Sequence, residues 1–185
     1  MGCRDFFQAN TENKELCRIL QAVSPEQQLA WEVESASKHS PGPANSDETI
    51  SRQVLNPQHF DTVTGTIKPT FFDDASSKGA SVNRLAHITV EGMRLTAQSR
   101  VDQINANPPA SGVRVLIGYT MVTVGEVRSI FADTPQRRAL AVYDTAKHDD
   151  PSHADICQLI SGKMIGKSIR AQLFQFAKSR LIRFA

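Results

Sequence analysis

The chain has 185 residues, 40% of them hydrophobic and 22% charged, with a formal net charge of +2. That balance excludes a wholly disordered polypeptide and fits one domain with a sizeable core, or a compact domain carrying an appendage. No run approaches the roughly 18 apolar residues that crossing a bilayer requires, and Met1 to Val23 is broken by Arg4, Asp5, Glu12, Lys14, Glu15 and Arg18, so neither a spanning helix nor a secretory leader is expected.

The charge is unevenly spread. Residues 1–48 hold eight acids and four bases, residues 49–155 hold eleven of each, and residues 156–185 hold six bases and no acid. Cys3, Cys17 and Cys157 are odd in number and widely spaced, which suggests reduced thiols in a cytoplasmic protein rather than a disulfide framework or a zinc knuckle. Cys157, among Ile156, Leu159 and Ile160, reads as a buried hydrophobe.

In chain order, residues 1–38 are predicted to form an acidic helical arm. One helix starts near Asn10 to Asn13 and carries Leu16, Ile19, Leu20 and Val23. A second starts at Ser24-Pro25-Glu26-Gln27, with Ser24 as N-cap and Pro25 in the first turn. Residues 39–48 read as a Pro/Gly-containing linker, and residues 49–185 as the main domain.

Within that domain Thr49 to Leu55 is predicted as a strand ended by Asn56-Pro57, and Thr66 to Phe72 as an edge strand demoted by Pro69. Ala80 to Leu85 is a short strand. The period then changes to helical from Thr89, its N-cap, to about Ile104. The most apolar, β-branched run, Val113 to Val124, suits a central strand, and Gly125 to Phe131 fits either strand or helical turn. Ala139 to Tyr143 and Ala154 to Ile160 are two strands about a polar tip, and a closing helix runs from Lys163 to Phe184. The fold class expected is α+β: a mainly antiparallel or mixed sheet packed with helices and preceded by the helical arm.

Four constellations could carry chemistry. Arg52, Asp73, Asp74, Ser81 and Arg84 cluster around the second and third strands, in a layout similar to that of ADP-ribosyltransferase-like enzymes, where such groups hold NAD; ion pairing of Arg52 and Arg84 with Asp73 or Asp74 is the structural alternative. His87-Ile88-Thr89-Val90 resembles one half of the paired H-x-T-x signature of two-histidine phosphoesterases, and the nearest partner is His153-Ala154-Asp155-Ile156, with Asp155 where a hydroxyl belongs. His148 to Asp155 is dense in metal-ligand types, but it also has the composition of a polar hairpin tip, and no metal or cofactor is assigned to it. Finally Lys163, Lys167, Arg170 and Lys178 share one side of the last helix, a footprint suited to a polyanion, to solvent, or to the acidic first 48 residues.

The order Arg52, Phe72-x-Asp74, Ser81-Val82-x-Arg84, Asp150-Pro151-x-His153-Ala154, Gly162-Lys163 resembles a group of short bacterial proteins to which no activity is attached. The resemblance covers Ile50 to about Phe174 and implies a domain boundary near residue 48. The function expected is an interaction or accessory module of a cytosolic bacterial system, contacting a protein partner or a polyanion such as nucleic acid through its basic terminal helix. The alternative is an enzyme acting on a phosphate-containing substrate, NAD or nucleic acid, through Arg52, Ser81, Arg84, His87 and His153. An enzyme requires these residues to converge on one concavity, whereas an interaction module leaves them scattered or paired.

Overall fold

A computed structural model describes residues 1–132 and 137–184. The helices are α1 (Cys3–Ala9), α2 (Leu16–Leu20), α3 (Pro25–Glu32), α4 (Val90–Ala106), α5 (Val124–Arg128) and α6 (Lys163–Ala177), with a 3-10 helix at Pro69–Ser76. Strands β1 (Thr49–Asn56), β4 (Ala80–Arg84), β5 (Val115–Thr123), β6 (Leu140–Tyr143), β7 (His153–Gln158) and β8 (Ile182–Arg183) form one six-stranded antiparallel sheet in the order β6-β7-β4-β1-β5-β8. The pair β2 (Phe60–Asp61) and β3 (Thr66–Ile67) stands apart from it. The architecture is α+β, and among the described residues no helix is long and apolar enough to cross a membrane.

Side-chain caps set the starts of three helices. Ser24 Oγ accepts the Gln27 amide at 3.3 Å to start α3, and Thr89 Oγ1 accepts the Gly92 amide at 3.0 Å to start α4. The undecided stretch after β5 is helical because Thr123 and Glu126 close a capping box, each side chain bonded to the other's amide.

Three expectations are corrected. The chain turns helical at Pro69, whose fixed φ suits a first helical position, so only Thr66–Ile67 is strand. Val115–Thr123 is not central: only the two-residue β8 lies outside it, and Val115 is 50% exposed. The closing helix ends at Ala177, after which Ile182 pairs with Tyr119 and Arg183 with Gly118. A Cβ on Gly118 would stand 2.0 Å from the Ile182 carbonyl oxygen, so this approach requires glycine. The helix Cys3–Ala9 is an addition that the apolar spacing after Asn10 gives no hint of.

Residues 1–48 share the core of the sheet. Phe6, Phe7, Leu16, Cys17, Leu20 and Trp31 are buried in one cluster with Tyr143, Ile156 and Cys157. Phe7 meets the Tyr143 ring at 4.8 Å, and the Tyr143 hydroxyl donates to the Gln28 carbonyl at 2.9 Å. Two of the acids in this segment are internal partners: Glu32 binds Arg128 and Arg138, and Glu48 binds Arg84. All three cysteines are free and buried, and burial, followed by the nearby Glu34 and Asp144 carboxylates, pushes the Cys3 thiol up to about 12.

Candidate functional site

Sheet register decides which side chains share a face, because directly paired residues of neighbouring strands point the same way. The pairs Ser81↔Asp155 and Asn83↔His153 therefore place four polar residues together, and Ser51 (opposite Asn83) and Tyr143 (opposite Asp155) extend the same face to either side. α4 covers one side, where Ser51 Oγ donates to Met93 Sδ at 2.9 Å, and α1 covers the other through Phe7 on Tyr143. Between the two covers runs a groove floored by β4 and β7.

The groove has two halves, about 820 Å³ beside α4 and about 610 Å³ beside α1. Five residues line both: Lys78, Ser81, Arg100, Lys147 and His153. Lys78 lies in the turn before β4, Arg100 on α4, and Lys147 in the β6–β7 connection. All three cations are exposed; Lys78 lies 3.7 Å from Asp74, and among the described residues Arg100 and Lys147 have no ion-pair partner.

Below them the hydrogen bonds fix the state of His153. Its Nδ1 lies 3.2 Å from the Thr145 carbonyl oxygen and 3.0 Å from Thr145 Oγ1, whose own proton goes to Asp155 Oδ2 at 2.7 Å. With no proton coming from Thr145, the neutral ring carries its hydrogen on Nδ1 and leaves Nε2 as an acceptor. His153 is 6% exposed, and Nε2 is buried without a partner among the described residues. Asp155 Oδ2 stands 3.9 Å from Nδ1, near enough to stabilise an imidazolium, and Ser81 Oγ donates to Asp155 Oδ1 at 3.1 Å.

Arg52 reaches the groove from the opposite face. The β1–β4 ladder has the pairs Ile50↔Arg84 and Ser51↔Asn83, and just beyond it the Arg52 guanidinium donates to the Ser81 carbonyl at 3.0 Å and the Phe71 carbonyl at 3.1 Å. It pairs with Asp74 at 3.3 Å, as the sequence alternative has it, and lies over the Phe71 ring at 5.2 Å. Arg52 braces the floor more than it offers free donors.

Arg84 and His87 are elsewhere. Arg84 is 2% exposed and binds Glu48 bidentately at 2.8 Å for each bond, the Gly42 carbonyl at 2.6 Å, and Asp144 at 3.4 Å; its partners are therefore neither Asp73 nor Asp74. Arg84 faces away from Asn83 along the strand, which turns it toward residues 42–48 and out of the groove. His87 sits in the exposed turn after β4 and lines neither half, so the two histidines of the H-x-T-x reading do not flank one ligand. Thr89 is occupied as the α4 N-cap.

Lys163 and Lys167 on α6 and Lys178 at its C-cap are exposed, but Arg170 is half-buried beside the Ile169–Leu173 stripe, bonded to Asp73 at 3.1 Å and Gln158 at 2.9 Å. Among the described residues no ion pair joins residues 1–48 to α6, and no three His, Cys, Asp or Glu side chains group as metal ligands do.

The two carboxylates on Arg84 titrate in opposite directions. Burial opposes ionisation of Glu48, but the hydrogen bonds from Arg84 and the Asn45 amide outweigh it and hold Glu48 below its usual 4.5. Burial raises Asp144 to about 6 against the pull of Arg84, and the Ser40 hydroxyl donates to its other oxygen. The folded chain thus keeps a proton on Asp144 that the unfolded chain has released, so stability falls as pH rises from the usual 3.8 toward about 6. Glu48 acts in the opposite sense, and only below 4.5. Asp144→Asn is expected to remove a fall of roughly 1–3 kcal/mol across that interval, measured by urea unfolding at a series of pH values; an unchanged slope would discard the assignment.

No protein family, curated protein or solved structure matches this chain.

Proposed function

We propose that the protein is an enzyme acting on a phosphate-containing substrate held in the groove between α1 and α4. The observation that carries this reading is the makeup of the five residues common to both halves: three cations, a serine hydroxyl and a buried histidine acceptor. Lys78, Arg100 and Lys147 neutralise the phosphate. His153 Nε2 takes a proton from a substrate hydroxyl or an attacking water, and Asp155 stabilises the imidazolium that forms. Ser81 and Thr145 hold the Asp155 carboxylate in place through one oxygen each. Arg52 supports the β4 edge, and Arg84 and His87 have no part in the chemistry.

The test is calorimetric titration with pyrophosphate and a panel of nucleoside phosphates, followed by phosphorus NMR of the same mixtures. Arg100→Glu with Lys147→Glu is expected to weaken binding at least about tenfold, because both charges act on one bound anion. His153→Ala is expected to slow turnover by about 10²- to 10⁴-fold, measured well below its melting temperature because truncating a buried, hydrogen-bonded ring also lowers stability. Binding that ignores the charge reversal, or turnover that survives loss of His153, sinks the proposal.

The exposed Lys163, Lys167 and Lys178, on a helix without an acid, favour a second reading in which α6 contacts a nucleic acid or an acidic protein surface. Exchanging all three for Glu is expected to abolish gel-shift binding to single-stranded and duplex oligonucleotides at low salt. No shift with the unaltered chain disposes of the nucleic-acid version.

A further inference from the structure

The two halves of the groove differ in charge. Lys78, Arg100 and Lys147 line both, but the α1 half alone adds Arg4 on α1, Lys14 between α1 and α2, and Lys38 in the segment after α3. These three are exposed, and among the described residues none of them has an ion-pair partner. The acids of this half are Glu12, which is exposed, and Asp155, whose oxygens accept from Ser81 and Thr145. The α4 half is built differently. Its own cation, Arg52, is paired with Asp74, and it adds the carboxylates of Asp149 and Asp150 to an apolar wall of Leu55, Leu95, Val101 and Ile104.

Contacts beneath the α1-half cations hold them together. Cys3 Sγ donates to the Trp31 carbonyl at 3.3 Å and Phe6 meets the Trp31 ring at 4.8 Å, which seats α1 on α3. The Cys17 amide donates to the Ser77 carbonyl at 2.6 Å, tying the start of α2, just after Lys14, to the turn that carries Lys78. The His39 ring meets His148 edge-on at 5.2 Å, joining the turn of Lys38 to the connection of Lys147. Cations from separate stretches of chain thus surround about 610 Å³, a space comparable in width with one screening length at physiological salt, roughly 8 Å. Like charges at that range repel, and a bound anion relieves all of them at once. A phosphate monoester carries a charge of about −2 at neutral pH. Lys78, Arg100 and Lys147 already balance that charge, which leaves Arg4, Lys14 and Lys38 for a second phosphate.

We infer that the α1 half is a subsite for a second phosphate, so that the substrate is an organic di- or triphosphate whose phosphates run from Lys78, Arg100 and Lys147 toward Arg4, Lys14 and Lys38 and whose uncharged part lies in the α4 half. Asp149 and Asp150 set this polarity, because they repel a phosphate placed beside α4. The inference rests on the phosphate reading of the groove and narrows its substrate class.

The test uses the full chain and calorimetric titration, without divalent cations, with inorganic phosphate, pyrophosphate and ADP. Pyrophosphate is expected to bind at least about tenfold more tightly than phosphate, and ADP at least as tightly as pyrophosphate. Arg4→Gln, Lys14→Gln and Lys38→Gln combined are expected to shrink the pyrophosphate advantage to about twofold while leaving phosphate binding within about twofold of the unaltered chain. Arg18→Gln with Arg183→Gln removes two cations that line neither half, and is expected to leave the advantage whole. If phosphate and pyrophosphate bind alike, the second subsite fails and the phosphate site stands. If none of the three ligands binds, the phosphate reading fails and takes the inference with it. An advantage that survives loss of Arg4, Lys14 and Lys38, or that falls as far in the Arg18 and Arg183 variant, overturns their role. Should the triple variant not fold, Lys38→Gln alone, outside the helices and strands, decides the same point, with an expected loss of about threefold. ADP binding more weakly than pyrophosphate overturns the placement of the uncharged part beside α4.

Discussion

Replacing Arg84 with methionine is expected to lower the unfolding free energy by about 3–5 kcal/mol, read from urea or guanidinium titration. The guanidinium is 2% exposed and is the shared partner of Glu48, whose side chain is 11% exposed, and Asp144, whose side chain is fully buried. Methionine fills much of the volume but strands both carboxylates and releases the Gly42 and Pro43 carbonyls. Leaving one partner of a buried ion pair unmatched costs far more than the pair itself contributes. Adding Asp144→Asn to Arg84→Met is expected to recover part of the loss, because the amide is cheaper to bury than the carboxylate. A loss below about 1 kcal/mol would mean that Arg84 behaves as a surface ion pair.

The second large effect is expected at Glu32. This carboxylate, fully buried at the end of α3, accepts from Arg128 Nε at 3.0 Å, from Arg138, and from the Val142 amide at 2.9 Å. It joins α3, α5 and the edge strand β6 at one point. Glu32→Ala leaves two arginines, 16% and 19% exposed, without their anion and a strand amide without its acceptor. A loss of about 3–5 kcal/mol is expected, whereas Glu32→Gln, which keeps an acceptor for Val142, is expected to lose about half as much. Equal losses for the two variants would show that the charge contributes nothing beyond the hydrogen bond.

The strands were readable in the sequence where two-residue alternation and turn residues coincide, as in Thr49–Asn56, Ala80–Arg84 and His153–Gln158, and this put Ser81 on a strand and His153 at the edge of another, the two proving adjacent. Composition could not give strand position. Val115–Thr123 is apolar because parts of it touch α4, α6 and β1, although on its outer side only Gly118 and Tyr119 are paired, with β8. The groove cations were not legible at all. Lys78, Arg100 and Lys147 lie in a turn, on a helix and in a connection, each an ordinary place for a solvated charge, and only the strand order brings them together. Arg84 illustrates the opposite limit. Strand alternation placed it, but its partners come from the Pro/Gly segment before β1, which by composition alone reads as a free tether.

The contacts of residues 1–48 also bear on the order in which the chain acquires its structure. Glu32 bonds to Arg138 across 106 positions, and the Gln28 carbonyl receives the Tyr143 hydroxyl across 115. On a ribosome the first three helices therefore emerge long before the strands that bury Phe6, Phe7 and Leu20 exist, and helices of seven, five and eight residues are too short to persist alone. The amino-terminal quarter thus remains unfolded until β6 and β7 are made and docks among the last elements, which gives the protein a high contact order and a slow final step.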